Sequence, residues 1–157
     1  MKKNKISKNW LIKKHRDPFF KQSKIKGYRS RSAFKLIEMN EKFKFLNKNT
    51  YLLDLGSSPG GWSQVATKEI TRGKILAVDT KLMDKVDKVD FLHGNLFDSK
   101  ICIKICSYFD KKIDVVMSDM AANTSGNKNL DSYKTGELCL KAMDIAHKIL
   151  NRDGVFL

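Results

Sequence analysis

Leu52-Leu53-Asp54-Leu55-Gly56-Ser57-Ser58-Pro59-Gly60-Gly61-Trp62-Ser63-Gln64-Val65-Ala66 is the stretch from which the rest of the chain is read. Tyr51 to Leu55 is an apolar run closed by a carboxylate and a glycine, and Gln64, Val65 and Ala66 continue as helix. The pattern is strand, tight glycine turn and helix start, the first unit of a nucleotide-binding α/β sheet. In such sheets a ligand lies beyond the carboxyl ends of the strands, where glycines admit close backbone approach and the next helix offers free N–H groups. No Gly-Lys-Ser/Thr follows, so the turn is not a phosphate loop, and Ser57-Ser58-Pro59 between Gly56 and Gly60-Gly61 excludes G-x-G-x-x-G. A carboxylate at the strand end attracts a cationic amine or sulfonium and repels phosphate. S-adenosylmethionine has that character.

The 157 residues and 41% hydrophobic content fit one globular unit. No apolar run approaches the roughly 20 residues that span a bilayer. The N-terminus lacks the apolar stretch of a secretory signal, so a cytoplasmic location is expected. Cys102, Cys106 and Cys139 have no partners at zinc-finger spacing and read as reduced thiols, the first two as small buried residues on one helix face.

Charge is unevenly placed. Residues 1–35 carry thirteen Lys/Arg against one acid, Asp17, which accounts for +12 of the total +14. A basic arm over residues 1–29, attached to a nearly neutral globule over 30–157, points to a polyphosphate partner. Trp10, Phe19, Phe20 and Tyr28 interleave with the charges, which a merely solvating tail does not need. Pro18 and Gly27 break the segment, against a sustained membrane-surface helix.

Along the chain, helical character is expected around Trp10 to Lys14. Ser30 or Ser32 can cap a helix whose inward stripe is Leu36, Met39, Phe43 and Leu46. After the glycine turn come a helix over 63–70 and a strand over 74–79. Asp79 follows Gly56 by 23 positions, where adenosyl sites place an acid to accept from two ribose hydroxyls. A weaker strand over 89–92 leads to the turn His93-Gly94-Asn95-Leu96. A helix over 99–109 and a strand from Ile113 to Asp119 follow, then a polar loop, a long helix over 131–150 with Leu138, Met143, Ile145, Ala146, Ile149 and Leu150 in its apolar share, a turn over 151–154 and a strand from Val155. Asp54, Asp79 and Asp119 thus converge on one sheet edge, which favours a site. The expected fold is a mostly parallel, Rossmann-like α/β sheet flanked by helices.

Arg29-Ser30-Arg31-Ser32-Ala33-Phe34-Lys35-Leu36, Asp54 through Gln64, and Ser118-Asp119-Met120-Ala121-Ala122-Asn123, in this order and spacing, resemble the FtsJ family of S-adenosylmethionine-dependent RNA ribose 2′-O-methyltransferases. The resemblance covers essentially the whole chain. It implies ribosomal RNA as substrate, most specifically a uridine of the large subunit, with no membrane and no metal. It places Gly60, Trp62, Asp79 and Asp119 at cofactor-contacting positions, beside Asp54, Gly56 and Gly61 of the turn. Lys35 and Asp119 fall on the first two members of the family's Lys-Asp-Lys-Glu set, and Arg29, Arg31 and Lys35 are expected to face RNA.

The departures carry expectations of their own. Asn95 stands where the family has an Asp that accepts from the adenine amino group, so the charge-assisted part of that bond is lost. Ala122 replaces a common Pro. The second Lys and the Glu fall beyond Leu157, so a C-terminally truncated enzyme is expected, lacking the last two strands of a seven-stranded sheet and open at one edge. The reading from another class is an RNA-binding protein that keeps the cofactor pocket without catalysis. Asn-Pro-Pro-aromatic and a nucleophilic Cys are both missing after the fourth strand, which argues against base-N6 and cytosine-C5 methylation.

Overall fold

The computed structural model describes residues 17–157. The helical character expected at Trp10 to Lys14 lies outside them. The elements in order are α1 (Pro18–Ile25), α2 (Ser32–Phe43), β1 (Tyr51–Leu55), α3 (Gly61–Glu69), β2 (Lys74–Asp79), β3 (Asp90–His93), α4 (Ser99–Tyr108), β4 (Ile113–Ser118), α5 (Lys128–Ile149) and β5 (Leu150–Phe156). All strand pairs are parallel, in the order β3-β2-β1-β4-β5.

The glycine-turn strand is therefore the centre of the sheet, and both of its faces are covered. Alternation along the strands sorts side chains between two cores. Leu52, Ile75, Val115 and Met117 pack under α2 and α3 with Leu36, Trp62 and Val65. Leu53, Leu55, Val78 and Val116 pack under α4 and α5 with Ile105, Ala142 and Ile149. The order reverses between β1 and β4, and Leu55 is level with Val78 on one side and Ser118 on the other. Three strand ends thus open onto one crevice at the switch point, where such sheets bind ligands.

Several local expectations are corrected. Residues 18–25, read as part of an irregular arm, form α1. Asp17 caps it by accepting from the N–H groups of Phe19 and Phe20, and Pro18 sits in its first turn, where a missing N–H costs nothing. Gly27 follows with φ +72°, so Pro18 and Gly27 bracket a helix rather than disrupt one. Neither Ser30 nor Ser32 caps α2. The N-cap position is Arg31 without a side-chain bond, and the two serine hydroxyls bond each other at 2.7 Å. Phe43 of the inward stripe is the last residue of the helix and is exposed; Lys44 then turns left-handed (φ 54°), and Leu46 returns to the core. In α5 the buried face is Ala142, Ile145, Ala146 and Ile149. Met143 points outward, and Leu150 already belongs to β5, which continues through the turn expected at 151–154. Cys106 is exposed and Cys102 half-buried, its thiol donating to the Leu96 carbonyl. Among the described residues no helix is long and apolar enough to cross a membrane.

Candidate functional site

The glycine turn leaves β1 at Gly56 (φ +75°) and enters α3 at Gly60 (φ +102°), two conformations that L side chains rarely adopt. Gly56 N–H donates to the Val78 carbonyl at 2.8 Å, and Gly60 N–H to the Ser57 carbonyl at 2.6 Å, so the turn is pinned to the end of β2 and to itself. A Cβ on Gly56 would stand 2.3 Å from Met120 Cγ: the loop after β4 closes directly over the turn. Gly61 meets Ser30 Oγ in the same way, at 2.0 Å, which seats the start of α2 against α3.

A cavity of about 430 Å³ opens beside this turn. Asp79, Asn95, Phe97, Asp119, Met120 and Ala122 are among its walls. Gly56, Ser58 and Asp119 also border a smaller recess of about 60 Å³ that reaches Asp54 and Trp62. The main volume lies in the range that small-molecule and cofactor pockets occupy. The structure brings Asp54, Gly56, Gly61, Trp62, Asp79, Asn95 and Asp119 to these two spaces, while Gly60, in the turn, lines neither and faces Arg29, Met83 and Val86.

Each acid does different work. Asp79 Oδ2 accepts from Ser58 N–H at 2.9 Å and Oδ1 from Lys81 N–H at 2.7 Å, so its carboxylate is held at the cavity wall with lone pairs to spare. Asp54 is buried beneath the turn and accepts from the Ser63 hydroxyl at 2.6 Å. Burial pushes its carboxyl up to about 7; the Ser63 bond opposes this, and the charges of Asp119 and Asp79 add to it. Near neutral pH it therefore presents a partly protonated carboxyl, not the full charge that its position in the sequence suggests. The Ser57 hydroxyl is also buried, with no hydrogen-bond partner among the described residues. Asn95 Oδ1 accepts from Phe97 N–H at 3.0 Å, so the amide oxygen already bends the chain behind β3.

Lys35, from α2, meets Asp119, from the end of β4. Nζ donates to Oδ1 at 3.2 Å, and the ammonium stands 5.4 Å from the Trp62 ring centre. Both side chains remain open to solvent, at 59% and 43% exposure. Trp62 is fixed by its indole N–H donating to the Ser32 carbonyl at 2.8 Å. Asp119 borders both spaces, and the Lys35 ammonium is held beside it.

The two arginines behave otherwise. Arg31 pairs with Asp17 and so ties α2 to the cap of α1. Arg29 directs its guanidinium to three backbone carbonyls, of Pro59, Asp84 and Lys85. Tyr28, one of the interleaved aromatics, is buried in the core with Lys68 Nζ 4.3 Å from its ring centre, whereas Phe19 is exposed and packs its ring against Phe34 at 6.0 Å. Sequence reasoning missed Phe97, Thr80 and Leu138 on the cavity wall. An apolar residue four positions after a strand, as Phe97 is, carries no pattern that separates a ligand contact from a loop filler.

Comparison with known proteins agrees with this geometry. The FtsJ-like methyltransferase family matches residues 28–157. The ribosomal RNA large subunit methyltransferase E of Pelagibacter ubique is 43% identical over the whole of this chain, which spans 77% of that protein. Its namesake from Rickettsia akari is 40% identical over 99% of this chain and 71% of its own length. A solved Plasmodium falciparum structure described as a ribosomal RNA methyltransferase superposes with a TM-score of 0.75 at 36% identity, over 82% of this chain and 76% of that one. MycE methyltransferase of the mycinamycin pathway, 17% identical with a TM-score of 0.53, shares the fold alone. A glycine turn at the centre of a parallel sheet, closed by the loop after β4 and matched from Tyr28 onward, makes this chain a member of the FtsJ-like methyltransferase family, with S-adenosylmethionine as its cofactor.

Proposed function

We propose that this chain transfers a methyl group from S-adenosylmethionine to a ribose 2′-hydroxyl of RNA, and that its substrate is a uridine of ribosomal RNA within the large ribosomal subunit, in the cytoplasm. The observation that carries the reading is the Lys35–Asp119 pair, 3.2 Å apart and solvent-accessible, of which Asp119 lines the cavity. The names of the Pelagibacter and Rickettsia relatives support the choice of large-subunit RNA.

S-adenosylmethionine supplies an electrophilic sulfonium methyl when bound. The chain's own residues fit it. Asp79 offers free lone pairs to ribose hydroxyls, the glycines leave backbone exposed, and Asn95 keeps an amide at the far wall for a base edge. The Lys35 ammonium orients the attacking 2′-hydroxyl and stabilises the negative charge that develops on it, while Asp119 holds Lys35 in place, accepts a hydrogen bond from that hydroxyl and receives its proton as the oxygen–methyl bond forms and the methyl–sulfur bond breaks. In-line displacement depends chiefly on such placement. The basic segment over residues 1–29 is proposed as the RNA-binding arm, with Arg31 and Lys35 beyond it, and residues 30–157 as the catalytic domain. No metal enters this scheme.

The direct test is chemical. RNA methylated by the wild-type chain should resist alkaline cleavage at one nucleotide, because a blocked 2′-oxygen cannot attack its phosphate. Label that resides on a base and leaves every linkage cleavable would refute ribose methylation. RNA binding with no transfer at all would mean a binding protein that retains the pocket.

A further inference from the structure

Arg29 sits where four segments meet. Its backbone N–H donates to Gln64 Oε1 on α3 at 2.8 Å. One terminal nitrogen of its guanidinium donates to the Pro59 carbonyl at 3.3 Å and to that of Asp84 at 2.6 Å, and the other to the Lys85 carbonyl at 2.7 Å. The segment between β2 and β3 has no regular structure, so its carbonyls lack ladder partners and must be satisfied otherwise. The same segment begins with Thr80 and Lys81, which line the large cavity, and Lys81 N–H holds Asp79. Its far half packs on Gly60: a Cβ there would lie 2.9 Å from Arg29 Nη1, 2.9 Å from Met83 Sδ and 3.2 Å from Val86 Cγ2. The bare glycine thus makes the seat into which the guanidinium and the loop close together.

We infer that Arg29 is a positioning residue of the cofactor site: it clamps the loop over 80–88 onto the glycine turn, and it is not a phosphate contact. Three of its N–H bonds go to main-chain oxygens of the turn and the loop, whereas Lys35, six residues on, is open to solvent beside Asp119. Only a planar fork reaches such spaced carbonyls at once, because an ammonium is a single point of charge. Arg29→Lys therefore breaks the clamp while preserving the charge, and a phosphate contact would survive that change in large part. The inference rests on the methyl-transfer reading for its consequence, and on the geometry alone for the clamp.

The test compares the full chain with Arg29→Lys and Arg29→Met in three measurements. Hydrogen exchange without ligand should speed up at amides of 80–88 in both variants and leave the central strands protected. Affinity for S-adenosylhomocysteine, by calorimetry, should fall by about tenfold or more in both, Arg29→Lys failing to rescue. The salt slope of RNA affinity should not change. A slope lowered by about 0.7 in Arg29→Met and restored in Arg29→Lys, with cofactor affinity intact, would make Arg29 an RNA contact and overturn the clamp. Unchanged exchange over 80–88 would overturn it equally. A wild-type chain that does not bind S-adenosylhomocysteine would instead defeat the cofactor assignment, and the exchange data would still decide the clamp.

Discussion

Lys35 and Asp119 are 84 positions apart in the chain and 3.2 Å apart in space, brought together because α2 packs across β1 and β4 ends beside it. If they act on the 2′-hydroxyl as proposed, Asp119→Ala should lower the transfer rate by about 10²-fold or more, with RNA affinity little changed. A rate within a factor of two of wild type, by labelled-methyl incorporation, would exclude Asp119 from the chemistry. Asp54 makes a separate prediction. Its folded-state carboxyl titrates near 7 and an unfolded one near 4, so the folded chain binds the extra proton between those values. Its contribution to stability is thus intact below about pH 4, declines as pH rises to about 7, and is flat above. Asp54→Asn, which can still accept from Ser63, should shrink the loss of urea midpoint between pH 5 and pH 8. Identical pH profiles for both proteins would show that burial does not shift this group.

At the scale of elements, the turns that set α3 against the sheet are tighter than the helices themselves. A Cβ on Gly73 would stand 1.9 Å from the Thr50 carbonyl oxygen, which is backbone and cannot swing away. Gly73→Ala should therefore destabilise the chain by about 1–3 kcal/mol. Gly136, within α5, meets nothing within 4 Å, and Gly136→Ala should stabilise by about 0.5–1 kcal/mol. Equal urea midpoints for the two variants would contradict that reading of the packing. The same contrast explains what was legible in the sequence. β1 and β2 were, since each is a continuous apolar run ended by glycine or an acid, and so was the convergence of Asp54, Asp79 and Asp119 on one edge, which parallel pairing makes automatic. α1 was not, because Phe19 and Phe20 among lysines give no clear apolar stripe; its existence depends on the Asp17 cap and on packing against α2. The exposure of Phe43 was hidden too: it keeps the helical spacing of the stripe, but it is the last residue of its helix. Nor could sequence tell Arg29 from Arg31: a guanidinium folded onto carbonyls and one paired with an aspartate spell the same residue.

For the whole molecule, a nearly neutral domain carries its charge at one end. Residues 1–16 alone hold seven Lys/Arg and no acid. Because Tyr28 is a core residue, removing 1–28 would damage the fold, so the deletion that tests the arm is of 1–16. That deletion should weaken RNA binding and flatten its dependence on salt, by about 0.7 in logarithmic slope for each single-strand phosphate that the arm had neutralised. An unchanged slope would take the arm out of RNA recognition.

On the proposed function, one edge of this sheet carries a working methyl-transfer site built on Lys35 and Asp119. The most direct measurement is transfer of labelled methyl from S-adenosylmethionine to large ribosomal subunits lacking their ribose methylation, by the wild-type chain and by Asp119→Ala in parallel. Incorporation by the wild type that Asp119→Ala abolishes is the predicted result. Cofactor and RNA both bound by the wild type with no methyl transferred, or equal transfer by the two proteins, would contradict it.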